Sequence, residues 1–373
     1  MSTRSRLETG MALILLLAPC ARSGSVAGDT SDAVSQKPRR AFSSTTIQWS
    51  RPSLRPIYDP PGRHYSYAPC AVVERKRERY WTCQNQEDGV VRDSIFYTER
   101  VKGKIILSKP VLVAGAPGAW DSFHVCDPCV LGGQFRFAGT RYRYALFYLG
   151  NDVDASRHNQ IGVAFANNLA GSWVKYPRPV VTWPDDQSWG VGQPSATSLD
   201  RKGRLVLFYT LGSRTETRGV WREVDLGDMS RPMTGTPRPV PNAGLTDING
   251  GPDFLNNFDV VYDPRRARFY AVREQHPYPR DHPSYITSSQ QVVSISNDGL
   301  RGGGQWRVEG EIGPPLTGLA RNHNAGIART LYGTLPRHDS IHVVFADSCA
   351  GSECRDRAEW SYDLWEIKGL LRQ

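Results

Sequence analysis

Asp127 opens the segment Asp127-Pro128-Cys129-Val130, and a segment of similar plan recurs at intervals of roughly 60 to 66 residues. Aligning the copies on their proline and small residues puts Ala68, Asp127, Gln193, Asp259 and Asn324 at one common position. Two aspartates among amides form a set that can move protons. One carboxyl group protonates a leaving oxygen while the other activates water or attacks carbon. Gln193 and Asn324 suit the hydroxyl groups of a substrate, because an amide both donates and accepts. Glu274, in Val272-Arg273-Glu274-Gln275-His276, offers a third carboxylate, and His323 stands directly before Asn324. Tyr67, Trp120 and Trp189 lie just before copies of the segment, where flat rings can stack on a substrate. Each residue also has a plainer reading. The polar ring can bind loop backbone, Glu274 can pair with Arg273, His323 can be a satisfied loop histidine, and the aromatics can fill core.

The elements that must hold these residues are short strands. Each copy is followed by a turn-like segment and then an aromatic strand: Arg79–Cys83, Tyr144–Tyr148, Leu205–Thr210, Arg268–Val272 and Ile341–Ala346. A long fixed period with several short strands per unit predicts an all-β, five-bladed β-propeller of four-stranded antiparallel blades, filling residues 51–373. The innermost strands are expected over Pro69–Val73, Pro128–Leu131, Pro194–Ser198, Val260–Asp263 and Ala325–Ala328. Two residues beyond the common position stand Cys70, Cys129, Ser195, Val261 and Gly326, small enough for a crowded axis. Period-two alternation puts both sets on the same side of their strands, so the polar set rings the channel mouth.

Composition agrees with a β-rich chain: 373 residues, 39% hydrophobic, with 35 Gly and 26 Pro to punctuate turns. The net charge of +9 is scattered or near the N-terminus, and no nucleic-acid-binding motif accompanies it. Residues 1–28 read as a secretion signal, with Arg4 and Arg6 before a short apolar stretch from Met11 to Ala18. Leu17-Ala18-Pro19-Cys20 also resembles a lipobox, which leaves a membrane tether through Cys20 open. Residues 29–50 read as a flexible linker. The 7 cysteines, less Cys20, leave an even number, which in an exported protein predicts disulfides. Shared repeat positions suggest Cys70–Cys129, Cys83–Cys126 and Cys349–Cys354; Cys70–Cys83 with Cys126–Cys129 is the alternative. Cys126-x-x-Cys129 has no second ligand pair, so no zinc is expected, and nothing calls for another metal or a cofactor.

The run Asp-Pro-Cys-Val, Arg-Tyr-Ala-Leu-Phe-Tyr-Leu-Gly, Gln-Ile-Gly-Val-Ala-Phe-Ala, Gly-Ser-Trp and Pro-Val-Val resembles one blade of the five-bladed propeller glycosidases, the arabinanase, β-xylosidase and levanase-like enzymes. The resemblance implies a glycoside hydrolase acting on a plant or microbial glycan through Asp127, Asp259 and Glu274, with carbohydrate as the partner. Those enzymes use a base aspartate opening blade one, a second aspartate opening blade two, and a glutamate further round. Asp127 matches the blade-two residue. Blade one opens with Ser66-Tyr67-Ala68 and no carboxylate, and no glutamate opens an inner strand. That departure keeps a second expectation alongside the first: a non-catalytic glycan-binding or envelope scaffold propeller.

Overall fold

The computed structural model describes residues 46–60, 65–85, 90–354 and 361–372. The predicted signal over 1–28, Cys20 and the linker up to residue 45 lie outside the described residues.

Five antiparallel sheets follow one another along the chain. Blade one comprises β2 (Tyr65–Glu74), β3 (Arg77–Asn85), β4 (Ser94–Val101) and β5 (Lys104–Leu112). Blade two comprises β6 (His124–Phe137), β7 (Thr140–Asn151), β8 (Gln160–Ala166) and β9 (Val174–Lys175). Blade three has β10 (Gly190–Ser198), β11 (Arg204–Gly212) and β12 (Thr217–Asp225), edged by the short β13 (Met233–Thr234) and β14 (Arg238–Pro239). Blade four has β15 (Phe258–Asp263), β16 (Arg268–Glu274), β17 (Gln290–Ser296) and β18 (Arg307–Ile312). Blade five has β19 (Arg321–Ile327), β20 (Ser340–Ser348) and β21 (Asp363–Leu371), and its outermost strand is β1 (Ile47–Tyr58). The innermost strands β2, β6, β10, β15 and β19 each touch the next, and β19 returns to β2, so the ring is closed. The architecture expected from the repeat is thus present.

One feature of it was not expected. The sequence before residue 51 has the composition of a linker, yet β1 starts at Ile47 and pairs antiparallel with β21, Ile47 opposite Leu371. Blade five is therefore built from both ends of the described chain. This joint hides the outer edge of β21, and it fastens the ring without a covalent bond.

Local sequence explains the hairpins. Aromatic and aliphatic runs such as Tyr144–Leu149 supply central strands buried on both faces. Lys102-Gly103 and Ala138-Gly139 turn tightly with φ of 51° and 79°, and of 48° and 77°, the paired positive values of a two-residue hairpin turn. The core lies between blades. Separate apolar clusters fill the joints one–two, two–three, three–four and four–five, and a smaller one containing Ile57, Ala71, Tyr80 and Val344 fills five–one.

Candidate active site at the channel mouth

Every inner strand begins with the same backbone device. Ala68, Asp127, Gln193, Asn257 and Asn324 have φ between 43° and 54°, a left-handed conformation that is uncommon outside glycine. In blades one, two, three and five, strand pairing skips two residues at this point, a bulge that aims the side chain at the channel mouth. In blade four the residue at this position is Asn257, so the sequence register was wrong there by two residues. Asp259 belongs to the layer below, in line with Cys70, Cys129, Ser195 and Gly326, where Val261 had been placed.

The two layers share a hydrogen-bond logic: a side chain accepts the backbone N–H of the next blade. At the mouth, Asp127 Oδ2 accepts from Gln193 at 3.2 Å and Gln193 Oε1 accepts from Asn257 at 3.1 Å. Glu274 completes the arc, with Oε1 accepting from Asn257 Nδ2 at 2.8 Å and from the Asn324 N–H at 3.2 Å. In the lower layer Cys70 Sγ accepts from Val130 and Cys129 Sγ from Ala196, each at 3.3 Å. Ser195 Oγ accepts from Val260 at 2.9 Å, and Asp259 Oδ2 from Ile327 at 2.8 Å. Gly326 ends this layer because a Cβ there would sit 2.1 Å from the Pro69 carbonyl oxygen.

Glu274, at the end of β16, is fully buried. Tyr278 Oη donates to its Oε2, and His323 Nδ1 lies 2.5 Å from its Oε1, a close contact outside good hydrogen-bond alignment. Asn324 Nδ2 stands 3.1 Å from His323 Nε2, which suits a histidine protonated on the Glu274 side. Burial works against the Glu274 charge, but His323, Tyr278 and the Asn324 N–H more than offset it and hold the carboxyl below the ordinary glutamate range. Asp127 behaves in the opposite way. Burial pushes it up to about 7, with the Gln193 N–H and His323 opposing and the charges of Asp93 and Glu274 adding to the rise. The mouth thus holds one carboxyl poised near neutrality and one kept ionised, the division of labour that acid–base chemistry uses.

Asp259 has a different environment. Arg329 Nη2 donates to its Oδ1, and Ser195 Oγ donates to the same atom at 2.8 Å. Arg329 is itself fully buried, and Nη1 also reaches the Ala196 carbonyl at 3.5 Å and Cys129 Sγ at 3.6 Å. Burial opposes its charge, but Asp259 more than compensates and raises its pKa. This guanidinium occupies the channel below the mouth.

Cysteine pairing follows the same layers. Cys83–Cys126 and Cys349–Cys354 are disulfides, as expected. Cys70 and Cys129 are not bonded to each other; both are buried free thiols. Each of these two sulfurs accepts a backbone N–H of the next blade in the lower layer. The Cys83–Cys126 bond clasps blades one and two at the mouth, and the Asp127 N–H donates to Cys83 Sγ at 2.9 Å. Cys83 and Cys126 stand near Asp93 with metal-like spacing, but the disulfide uses both sulfurs.

The aromatics divide. Tyr67 stands at the mouth, its hydroxyl donating to Asp93 Oδ2 at 2.6 Å, and its ring lies 5.2 Å from that of Tyr362. Trp189 packs beside Tyr67 and Ala68 around the disulfide. Trp120 does not face the mouth: it stacks on Tyr148 at 5.6 Å and lies against Gly150 and Gly162, over the third strand of blade two. Sequence reasoning missed Asn257, Asp93 and Arg329. Asp93 is fully buried beneath the two tyrosines, accepting from Tyr65 and Tyr67.

No family's sequence pattern matches the chain, and no characterised protein matches it in sequence. Solved structures do match in shape. A GH62 hydrolase in complex with xylotriose aligns with a TM-score of 0.56 at 10% identity, over 88% of this chain and 99% of that one. An α-L-arabinofuranosidase from Podospora anserina in complex with cellotriose aligns at 0.55 and 12%, over 87% and 98%. A thermostable family-43 glycoside hydrolase aligns at 0.53 and 13%, over 83% and 91%. The protein therefore has the five-bladed β-propeller fold of these glycosidases, as the blade motif suggested. At such identities the likeness establishes architecture, and chemistry has to be argued from the residues at the mouth.

Proposed function

We propose that the protein is an exported glycoside hydrolase working at the channel mouth, with Asp127 as proton donor and Glu274 as its charged partner. The observation that carries this reading is the opposite direction in which the two neighbouring carboxyls are driven, Asp127 to about 7 and Glu274 below its ordinary range. The Asp127 proton passes to the glycosidic oxygen as the bond to the anomeric carbon breaks. Water adds to that carbon and gives its proton to Glu274. Gln193, Asn257 and Asn324 are placed to bind sugar hydroxyls, and Tyr67 and Trp189 to border the ring. Asp259, bound to Arg329, has no part in the reaction. Two disulfides support an oxidising compartment, and solved structures of the same fold hold xylotriose and cellotriose.

A second reading rests on a specific observation. Blade one presents Ala68 where a carboxylate would stand, and Glu274 is buried under three hydrogen-bond donors with the His323 imidazole against it. Glu274 reaches water only by giving up one of them; a carboxylate that never does so leaves a protein that binds glycans without cutting them. The test is a panel of aryl-glycosides and neutral and acidic oligosaccharides, scored for both binding and release. Hydrolysis that falls at least about 100-fold in Asp127→Asn and in Glu274→Gln, with binding retained, supports the enzyme. Binding without cleavage by the wild type selects the second reading. Wild-type turnover by both variants removes these residues from the chemistry.

A further inference from the structure

Away from the axis, a cavity of about 260 Å³ opens between the end of blade two and the sheet of blade three. Arg218 and Arg222 project into it from one face of β12, and Trp183 and Tyr209 supply flat walls. None of the lining residues is a carboxylate. Arg222 donates through Nε and Nη2 to Tyr209 Oη at 3.2 and 2.6 Å, whereas Arg238, paired with Trp221 across the strands, lies 5.1 Å from the Trp221 ring centroid on the opposite face of the sheet. Neither has a carboxylate partner among the described residues. Arg218 pairs with Glu216 at 3.1 Å at the exposed rim, and its Nε, like Trp183 Nε1, has no hydrogen-bond partner among the described residues. Two guanidinium groups in a cavity with no carboxylate in its lining attract an anion, and guanidinium geometry matches a carboxylate in particular. The indole, the phenol ring and prolines 184, 237 and 239 form apolar walls that suit the face of a ring better than a compact, fully hydrated ion.

We infer that this cavity is a binding site for a carboxylate-bearing sugar, a uronic acid residue of a glycan. It does not depend on the chemistry assigned to the channel mouth. The experiment titrates the full chain with trigalacturonate, following calorimetry and tryptophan fluorescence, with xylotriose and sodium phosphate as controls. The expected result is trigalacturonate binding that weakens as salt is raised. Its Kd rises at least tenfold in Arg222→Met and in Trp183→Ala, with melting temperatures within a few degrees of wild type, and is unchanged in Arg238→Met, whose guanidinium lies on the opposite face of the sheet. Asp127→Asn leaves this binding unchanged, so failure of the mouth assignment and failure of this one are separable. The inference is overturned if trigalacturonate does not bind. It is also overturned if phosphate binds as tightly, or if Arg222→Met and Trp183→Ala both bind like wild type.

Discussion

In the lower layer of the channel Asp259 faces the Arg329 guanidinium; at the mouth Asp127 faces the carboxylates of Asp93 and Glu274, with His323 as the nearby counter-charge. Both aspartates accept the backbone N–H of the next blade, and both stand where five strands crowd together. What differs is the neutralising partner. Asp259 with its arginine is a closed ion pair that spans blades four and five. Asp127 has no cation in direct contact among the described residues, so burial and neighbouring negative charge drive it towards its neutral form. Burial alone therefore does not mark a candidate catalytic carboxyl in this fold, whereas the supply of cations does.

The largest effect should come from breaking the lower layer. Asp259→Ala strands a fully buried guanidinium, and removing one partner of such a pair costs about 3–5 kcal/mol. Urea unfolding should show that loss. The double variant Asp259→Val with Arg329→Met should recover much of it, because a paired charge removed whole leaves no orphan. A loss in the double variant equal to or greater than that of Asp259→Ala would mean that the pair acts through something other than charge.

The next effect belongs to the mouth and has the opposite logic. Asp127 rises from an ordinary 3.8 to about 7 in the folded protein, so between these values the folded state holds a proton that the unfolded state has released. The stabilisation is complete below pH ~4 and is lost as pH rises through ~7, a change of roughly 4 kcal/mol at 1.36 kcal/mol per pH unit. Asp363 near 7 and Asp347 near 6, both raised chiefly by burial, tilt the same way. The Asp127 share is therefore the difference between wild type and Asp127→Asn. That variant should lose about one proton's worth of slope and be as stable as wild type, or more so, at pH 8. An unchanged slope would refute the elevated pKa.

The clasp between blades one and two gives a third contrast. Cys83–Cys126 closes a loop with a sequence separation of 43 residues, whereas Cys349–Cys354 closes one of 5. On the chain-entropy account the longer loop gains more from its bond, so Cys83→Ser with Cys126→Ser should cost about 4 kcal/mol. Cys349→Ser with Cys354→Ser should cost about 2 kcal/mol or less. Equal losses would place the stabilisation in local packing.

The blades were legible because their strands are short, aromatic and evenly repeated. The mouth was half legible. Asp127 and Gln193 are announced by the proline that follows each, which disfavours helix and marks the bulge. Blade four has Phe258 in that place, so alignment slid to Asp259; the signal that was available is Asn257 itself, one of the residue types that tolerate positive φ. Asp93 and Arg329 lie outside any repeat position, and their importance comes from what folding brings to them: two tyrosines for one, Asp259 and two thiols for the other. The β1 strand was hidden for a related reason. Its partner is more than 300 residues away, and its Arg- and Pro-containing sequence has no apolar alternation to reveal a half-exposed edge.

The smallest effect tests whether the two layers follow one rule. Blade three uses Ser195 where blades one and two use Cys70 and Cys129, and the Ser195 hydroxyl does the same work as the sulfurs, accepting the next blade's N–H. Cys129→Ser should therefore be nearly silent, costing about 1 kcal/mol or less, since an acceptor is replaced by an acceptor in a site that already holds serine elsewhere in the ring. Cys129→Ala is different. It leaves the Ala196 N–H buried without that partner, which costs about 1–3 kcal/mol, and it removes a contact of Arg329 Nη1. Melting curves of the two variants decide the matter. If alanine is tolerated as well as serine, the sulfurs are packing atoms and the interblade acceptor rule holds only at the mouth. If serine is tolerated and alanine is not, the thiols are hydrogen-bonding elements of the ring.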